Sequence, residues 1–325
     1  MKKSTAIKLC ASVAGAYLGM GTVLYSAILT APGVKLVAKI NRMNEEKAAA
    51  KAPKKEEPAE KPVEQTTEKK LDWFHSAEHK TIFSYGPDGK RYQAVYFDNP
   101  NPSHLYFICC HGYISNPEGM GGYGEKMAAN GFHILYPVLN GHGNSTRFDV
   151  TFGWEDRLIV KSFAEQIAAR DPEAQIVIHG VSMGSVTVMN ATGETLPPQV
   201  KCCLADCGFT TAYDQFSVQI GEILHLPRFP FVNAADIICR IRAKWNFKQN
   251  APILQVAKSV TPTLFIHGDR DTFVPFWMQQ ALFEAASCEK EKLIVPEAEH
   301  ANCANVNPEL YWTTAEAFMH KYVDF

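Results

Sequence analysis

A mostly parallel sheet covered by helices on both faces is the fold class that three observations predict. From residue 105 onward, short apolar runs alternate with helical stretches of ten or more residues, the rhythm of β-α-β units. The apolar runs are continuous rather than alternating, as in Leu105–Cys110 and Ile176-Val177-Ile178, so both faces of each strand are to be buried. The residues suited to chemistry (Tyr113, His142, Ser182, Asp206 and Asp271) fall at the carboxyl ends of those runs, where open α/β sheets bind ligands.

The chain opens with Met1-Lys2-Lys3 and then carries no charge from Leu9 to Ala31. At about 1.5 Å per residue, a helix of that length crosses the roughly 30 Å hydrocarbon core. A cleaved signal peptide usually has a shorter apolar region, so the expectation is an uncleaved N-terminal transmembrane helix within an anchor and flank at 1–43. Small residues at Ser26-Ala27 and Thr30-Ala31 keep cleavage open. Gly15 and Gly19 form a G-x-x-x-G, either a helix-pairing face or the ordinary small-residue content of membrane helices. Lys2, Lys3 and Lys8 precede the span and Lys35, Lys39 and Arg42 follow it. The expected orientation is single-pass, with an internal amino terminus and an extracytoplasmic globular domain. The nine cysteines argue mildly against an oxidising exterior; none forms a C-x-x-C pair, and the doublets Cys109-Cys110 and Cys202-Cys203 read as small core residues. Residues 44–71 are rich in Lys, Glu, Ala and Pro and read as a disordered, solvated tether.

The globular domain occupies 72–325. Lys80–Tyr85 and Arg91–Phe97, joined through Gly86-Pro87-Asp88-Gly89, read as a hairpin. Strands follow at Leu105–Cys110, Phe132–Val138, Gln175–Val181, Val200–Asp206, Pro262–His267 and Lys292–Val295. Helices fall at Pro117–Asn130, Trp154–Arg170, Met183–Gly193, Pro275–Ser287 and Pro308–Tyr322. Between Asp206 and Pro262 no strand is evident, and residues 209–252 read as a helical cap. Its Phe209, Phe216, Leu224, Phe229, Phe231 and Trp245 either line an acyl pocket or pack the cap on the body.

The formal net charge is −2, so no basic surface invites nucleic acid, and no Gly-rich phosphate loop appears. His75-Ser76-Ala77-Glu78-His79 matches the H-x-x-E-H zinc pattern but has no further ligand nearby, and reads as a solvated helix face. No cofactor or metal is expected.

The central feature is Gly180-Val181-Ser182-Met183-Gly184 after an apolar strand. This is the pattern of a nucleophile elbow, a strained strand-to-helix turn that lifts a hydroxyl out of the sheet. A serine hydroxyl needs a base within hydrogen-bond reach, and that base needs an orienting carboxylate. Downstream lie His267-Gly268-Asp269-Arg270-Asp271 and Glu299-His300, in the order Ser…Asp…His. His142 and His179 read as structural, and His225 is unassigned.

From about residue 72 to the end, the chain resembles the α/β-hydrolase superfamily. It is similar to the membrane-anchored bacterial bem46-like serine hydrolases and prolyl-oligopeptidase-type domains. The resemblance rests on His111-Gly112-Tyr113, Asn140-Gly141-His142-Gly143-Asn144-Ser145, Gly153-Trp154-Glu155-Asp156, Gly180–Gly184, Asp206-Cys207-Gly208-Phe209, His267–Pro275 and Glu299-His300. Asn140 departs from the Arg-Gly-His-Gly common there. The resemblance implies Ser182 as nucleophile, Asp271 as acid and His300 as base, with the backbone N–H groups of Tyr113 and Met183 as oxyanion hole. Asp269 competes with Asp271, and the family's His-Gly-x-x-Asp-x-x-Val-Pro pattern falls on Asp271. Some relatives carry the acid at the position of Asp206, which otherwise orders the site or the cap hinge. The Tyr113 hydroxyl either reaches into the pocket or its ring only walls it. The implied function is a carboxylesterase-like serine hydrolase cleaving a small or lipid ester or thioester through an acyl-enzyme. A serine peptidase or amidase, or a binding protein on the same fold, are the alternatives.

Overall fold

Continuous Val, Ile, Leu and Cys runs form strands because their branched or compact side chains pack well on a pleated surface buried on both sides. The computed structural model describes residues 3–51 and 73–325 apart from Asp88 and Thr146. Its eight strands are β1 (Lys80–Tyr85), β2 (Arg91–Phe97), β3 (Leu105–Cys110), β4 (His133–Pro137), β5 (Gln175–Val181), β6 (Val200–Asp206), β7 (Thr263–Gly268) and β8 (Lys290–Val295). They form one sheet in the order β1-β2-β4-β3-β5-β6-β7-β8. The hairpin β1-β2 and the β2-β4 pair are antiparallel, and every later pairing is parallel. The mostly parallel sheet expected from the rhythm of the chain is therefore the sheet observed.

Both faces are covered. Along β3, Phe107 and Cys109 belong to one core and Ile108 and Cys110 to the other, all essentially inaccessible to solvent. The first face packs on α3 (Gly121–Ala129) and on α11 (Pro308–Met319) through residues such as Met127, Tyr311 and Phe318. The second packs on α4 (Asp156–Arg170), α5 (Met183–Thr192) and α9 (Trp277–Ala285). Two short helices, α8 (Pro252–Val256) and α10 (Cys303–Val306), flank the strand ends. The cap is two long helices, α6 (Ala212–Leu224) and α7 (Arg228–Arg242), within the interval read as lacking a strand. The eight cysteines described are free thiols, and all but Cys288 are buried.

The N-terminal segment departs from expectation. Helix α1 (Lys3–Leu29) and helix α2 (Ala31–Lys51) meet at Thr30, so 44–51 is helix where a tether was expected; 52–71 lies outside the described residues. Ser12–Leu29 is long and apolar enough to cross a membrane. Its second half, however, is docked on the cap rather than standing clear. Gly21, Tyr25 and Leu29, four apart on one helical face, are buried along α7. A β-carbon on Gly21 would stand 2.4 Å from the Ala234 carbonyl oxygen, so this glycine permits the close approach of the two helices. Gly15 and Gly19 meet nothing within 4 Å among the described residues, so the G-x-x-x-G is not the packing face here. Around Thr30 the backbone pairs with the loop before α4: Ala31 N–H donates to Phe148 O at 3.0 Å and Val150 N–H to Leu29 O at 2.9 Å. The Tyr25 hydroxyl donates to Asp149 at 2.6 Å. Burial of Leu29 and of Val34 is worth about 1.5–3 kcal/mol each, so the docking is part of the core.

Candidate active site

The turn from β5 into α5 carries Ser182 at φ 57°, ψ −117°, a left-handed conformation that costs a non-glycine residue on the order of 1–3 kcal/mol. The flanking glycines are forced by the same turn. A β-carbon on Gly180 would lie 2.1 Å from Gly184 O, and one on Gly184 would lie 2.0 Å from Cys110 O. Ser182 N–H donates to Asp206 O at 2.8 Å, which ties the elbow to the end of β6.

Ser182 Oγ stands 2.8 Å from His300 Nε2, and His300 Nδ1 stands 2.7 Å from Asp271 Oδ2. With a carboxylate facing Nδ1, that nitrogen carries the proton, and Nε2 is free to accept from the serine. Asp271 is buried and also accepts from Val274 N–H at 2.8 Å. His267 Nε2 lies 2.9 Å from Val274 O and 3.3 Å from Asp271 Oδ2; both neighbours are acceptors, so Nε2 carries the proton. Burial pushes the Asp271 carboxyl up, but the hydrogen bonds and charges of His267 and His300 outweigh it and hold its pKa at about 2.

The competing acids are placed elsewhere. Asp269 is exposed, and its carboxylate accepts from Glu297 N–H at 2.7 Å, bracing the loop that leads to His300. Asp206 is fully buried, and neither of its carboxylate oxygens has a well-formed hydrogen bond among the described residues. Burial raises its pKa to about 6 despite the nearby charges of His267 and His300. Cys207, Asp271 and His300 are the one trio of candidate metal ligands among the described residues, with ligand atoms within 4.8 Å. Asp271 and His300 already bind each other, and burial keeps the Cys207 thiol protonated, so the trio suits a metal poorly. His75, Glu78 and His79 of the zinc-like pattern are exposed and join no such cluster among the described residues.

His111, quoted in the sequence only as part of a motif, has a definite part in the geometry. Its Nδ1–H donates to Gly112 O at 2.9 Å while Nε2 accepts from Leu139 N–H at 3.3 Å. Burial and the neighbouring His142 lower its pKa to about 3, so the ring is neutral. In a trans peptide the N–H points opposite to the C=O. Holding Gly112 O towards His111 therefore aims Tyr113 N–H the other way. A β-carbon on Gly112 would meet Val181 O at 3.4 Å and Ser182 Cβ at 3.6 Å, so this loop lies directly against the elbow. Met183 N–H is the first of α5 and has no intrahelical acceptor.

A cavity of about 170 Å³ opens at Ser182. Tyr113, Met183, Phe152, Phe209, Phe216 and Phe273 line it, so Phe209 and Phe216 of the cap residues singled out in the sequence reach it. Trp245 is instead buried against Phe247, and Phe229 is exposed. Gln215 and Gln219 of α6 both donate to Phe273 O, at 2.8 and 2.6 Å, clasping the cap to the loop of Asp271. The Tyr113 ring stacks on Phe152 and its hydroxyl donates to Ile28 O at 2.7 Å, so it walls the pocket and points away from the reacting atoms. A larger cavity, about 900 Å³, lies beside Trp73, His79 and Tyr96 and contains none of these groups.

The profile of the prolyl oligopeptidase family matches residues 159–324, just over half of the chain, and that of serine aminopeptidase, S33, matches residues 101–212. The uncharacterized protein YqkD of Bacillus subtilis (strain 168) is 26% identical over 269 residues, which covers 81% of this chain and 87% of that protein. Among solved structures, the Pyrococcus furiosus esterase Pf2001 superposes with a TM-score of 0.64 at 21% identity, covering 84% of this chain and 98% of its own. Pyrococcus horikoshii acylaminoacyl peptidase superposes with a TM-score of 0.54 at 16% identity, covering 76% of this chain and 42% of its own. These likenesses are of fold: the same sheet carries esterases and peptidases.

Proposed function

We propose, since the chain belongs to the prolyl oligopeptidase family and is a serine hydrolase, that it cleaves carboxylic esters of small acyl groups through an acyl-enzyme on Ser182. The observation that carries this reading is the row Asp271–His300–Ser182, joined at 2.7 and 2.8 Å and ending in an apolar cavity. As Ser182 Oγ attacks the substrate carbonyl, its proton passes to His300 Nε2. Asp271, ionised at every pH above about 2, stabilises the resulting imidazolium through Nδ1–H. The carbonyl oxygen takes the negative charge and is held by the N–H groups of Tyr113 and Met183. Collapse of the tetrahedral intermediate breaks the C–O bond, and His300 Nε2–H protonates the departing alcohol. A water, deprotonated by His300, then releases the acid by the same steps in reverse. Asp206 and Asp269 act as ordering residues, the first through its carbonyl on Ser182 N–H and the second through the loop of His300.

The cavity wall supports an ester over a peptide with a free amino terminus. An ammonium group at the site requires a carboxylate partner, and the lining residues carry no acidic side chain. Fluorophosphonate labelling and hydrolysis of p-nitrophenyl butyrate test the assignment together. Wild type is expected to label and turn over, and Ser182→Ala to do neither. Labelling that survives Ser182→Ala overturns it.

The same reading places the chain at a membrane through α1, with 72–325 as the catalytic domain on the extracytoplasmic side. Docking on α7 begins at Gly21, so the uncharged stretch before it, Leu9–Met20, is the part of α1 offered to a bilayer. That is about 18 Å of helix against a core of roughly 30 Å, enough for insertion into one leaflet. A full crossing requires the second half of α1 to leave the cap. Protease protection of an amino-terminal tag in sealed vesicles separates the two topologies.

A further inference from the structure

The cavity at Ser182 has a wall that comes from outside the hydrolase core. Ile28, the penultimate residue of α1, and Val37, in the second turn of α2, line it together with Phe152, Phe216 and Phe273. Both positions precede the first residue matched by either family profile, 101. The corner that presents them is held by main-chain bonds: Ala31 N–H to Phe148 O, Val150 N–H to Leu29 O and Val34 N–H to Thr30 O at 2.9 Å. The Tyr113 hydroxyl closes the set on Ile28 O itself, so the residue whose N–H is assigned to the oxyanion also positions the α1 backbone. A wall fixed by hydrogen bonds at both ends defines a volume rather than yielding to the ligand.

We infer that this α1–α2 corner is the acyl-chain gauge of the enzyme, with Ile28 and Val37 as specificity-determining residues. The inference rests on the ester reading above and adds what sets its preference for short acyl chains. A cavity of about 170 Å³ is well under the roughly 300–1,000 Å³ of pockets that enclose drug-sized ligands. An acyl chain that fills the cavity packs against Ile28 and Val37. A shorter one leaves them without a partner. In an apolar pocket one methylene is worth about 10–200-fold in kcat/KM, so the side chains at these two positions set where the chain-length profile peaks.

The test measures kcat/KM for p-nitrophenyl esters from acetate to laurate, and in parallel the labelling rate of Ser182 with alkyl fluorophosphonates of two, four and eight carbons. Ile28→Ala is expected to raise the octanoate-to-butyrate ratio at least about 10-fold, and Val37→Ala to move it the same way by less. Ile28→Trp is expected to move the peak towards acetate. These opposite shifts separate a gauge from a general loosening, which would not reverse with residue size. Ile40→Ala, on the exposed outer face of α2, leaves the profile as in wild type. Superposable profiles for wild type, Ile28→Ala and Ile28→Trp, with Ser182 equally reactive to the two-carbon fluorophosphonate, overturn the gauge and leave the ester reading standing. Wild type that labels at Ser182 yet turns over no ester overturns the ester reading itself. The labelling rates with longer phosphonates then still decide whether Ile28 limits the pocket.

Discussion

Asp206 and Asp271 sit at neighbouring strand ends, both buried and both near His267 and His300, yet they are electrostatic opposites. Asp271 accepts from Val274 N–H, His267 and His300, and its pKa lies at about 2. Asp206 has no well-formed donor on either oxygen among the described residues, and its pKa rises to about 6. Burial alone raises both carboxyls. What separates them is the number of donors the surrounding loops aim at each. Val274 N–H from the loop after β7, His267 from β7 itself and His300 from the loop after β8 converge on Asp271, whereas Asp206 at the very end of β6 meets only the weaker polar contacts of Tyr311 and Cys207.

Asp271 is the more sensitive of the two carboxylates. Asp271→Asn removes the charge that stabilises the imidazolium, and kcat is expected to fall by about 10⁴-fold. Asp206→Asn keeps the carbonyl that holds Ser182 N–H and is expected to lose less than 10-fold. Steady-state kinetics on one short ester reads both, and equal losses would dissolve the distinction.

Stability sharpens it with opposite signs. Asp271 has a folded pKa below the ordinary 3.8, so it stabilises the fold above that pH and the contribution is lost as pH falls towards 2. Asp206 has a folded pKa above 3.8, so the folded state holds its proton more tightly. Its ionisation weakens the fold as pH rises from about 4 to 6, by about 3 kcal/mol in all. Denaturant unfolding at pH 8 is therefore expected to find Asp206→Asn more stable than wild type and Asp271→Asn less stable, with the Asp206→Asn advantage gone near pH 4.

The smallest effect belongs to the exposed acid. Asp269→Asn weakens the bond to Glu297 N–H that braces the loop of His300 and is expected to lower kcat only a few-fold. A loss as large as that of Asp271→Asn would move the acid to Asp269.

Much of this is legible in the sequence alone. Ser182 was found because an elbow is a local device: a glycine two residues before and another two after permit a turn that no other residues allow, and five positions encode it. The strands were legible because burial on both faces leaves a continuous apolar run. Asp271 could be ranked over Asp269 only through the family's spacing, since two carboxylates two residues apart look alike until the loop turns one inward and the other outward. The part of His111 was missed because its effect passes through the orientation of a single peptide unit.

The apolar segment at the amino terminus marks the boundary most clearly. Composition and length alone mark Leu9–Ala31 as a segment fit for an apolar environment, because they report hydrophobicity without saying what satisfies it. It takes the packed fold to show that Gly21–Val34 finds that environment against the cap and brings Ile28 to the cavity at Ser182. A contact across more than 150 residues of chain depends on where two surfaces meet, and no periodicity in either segment records the other.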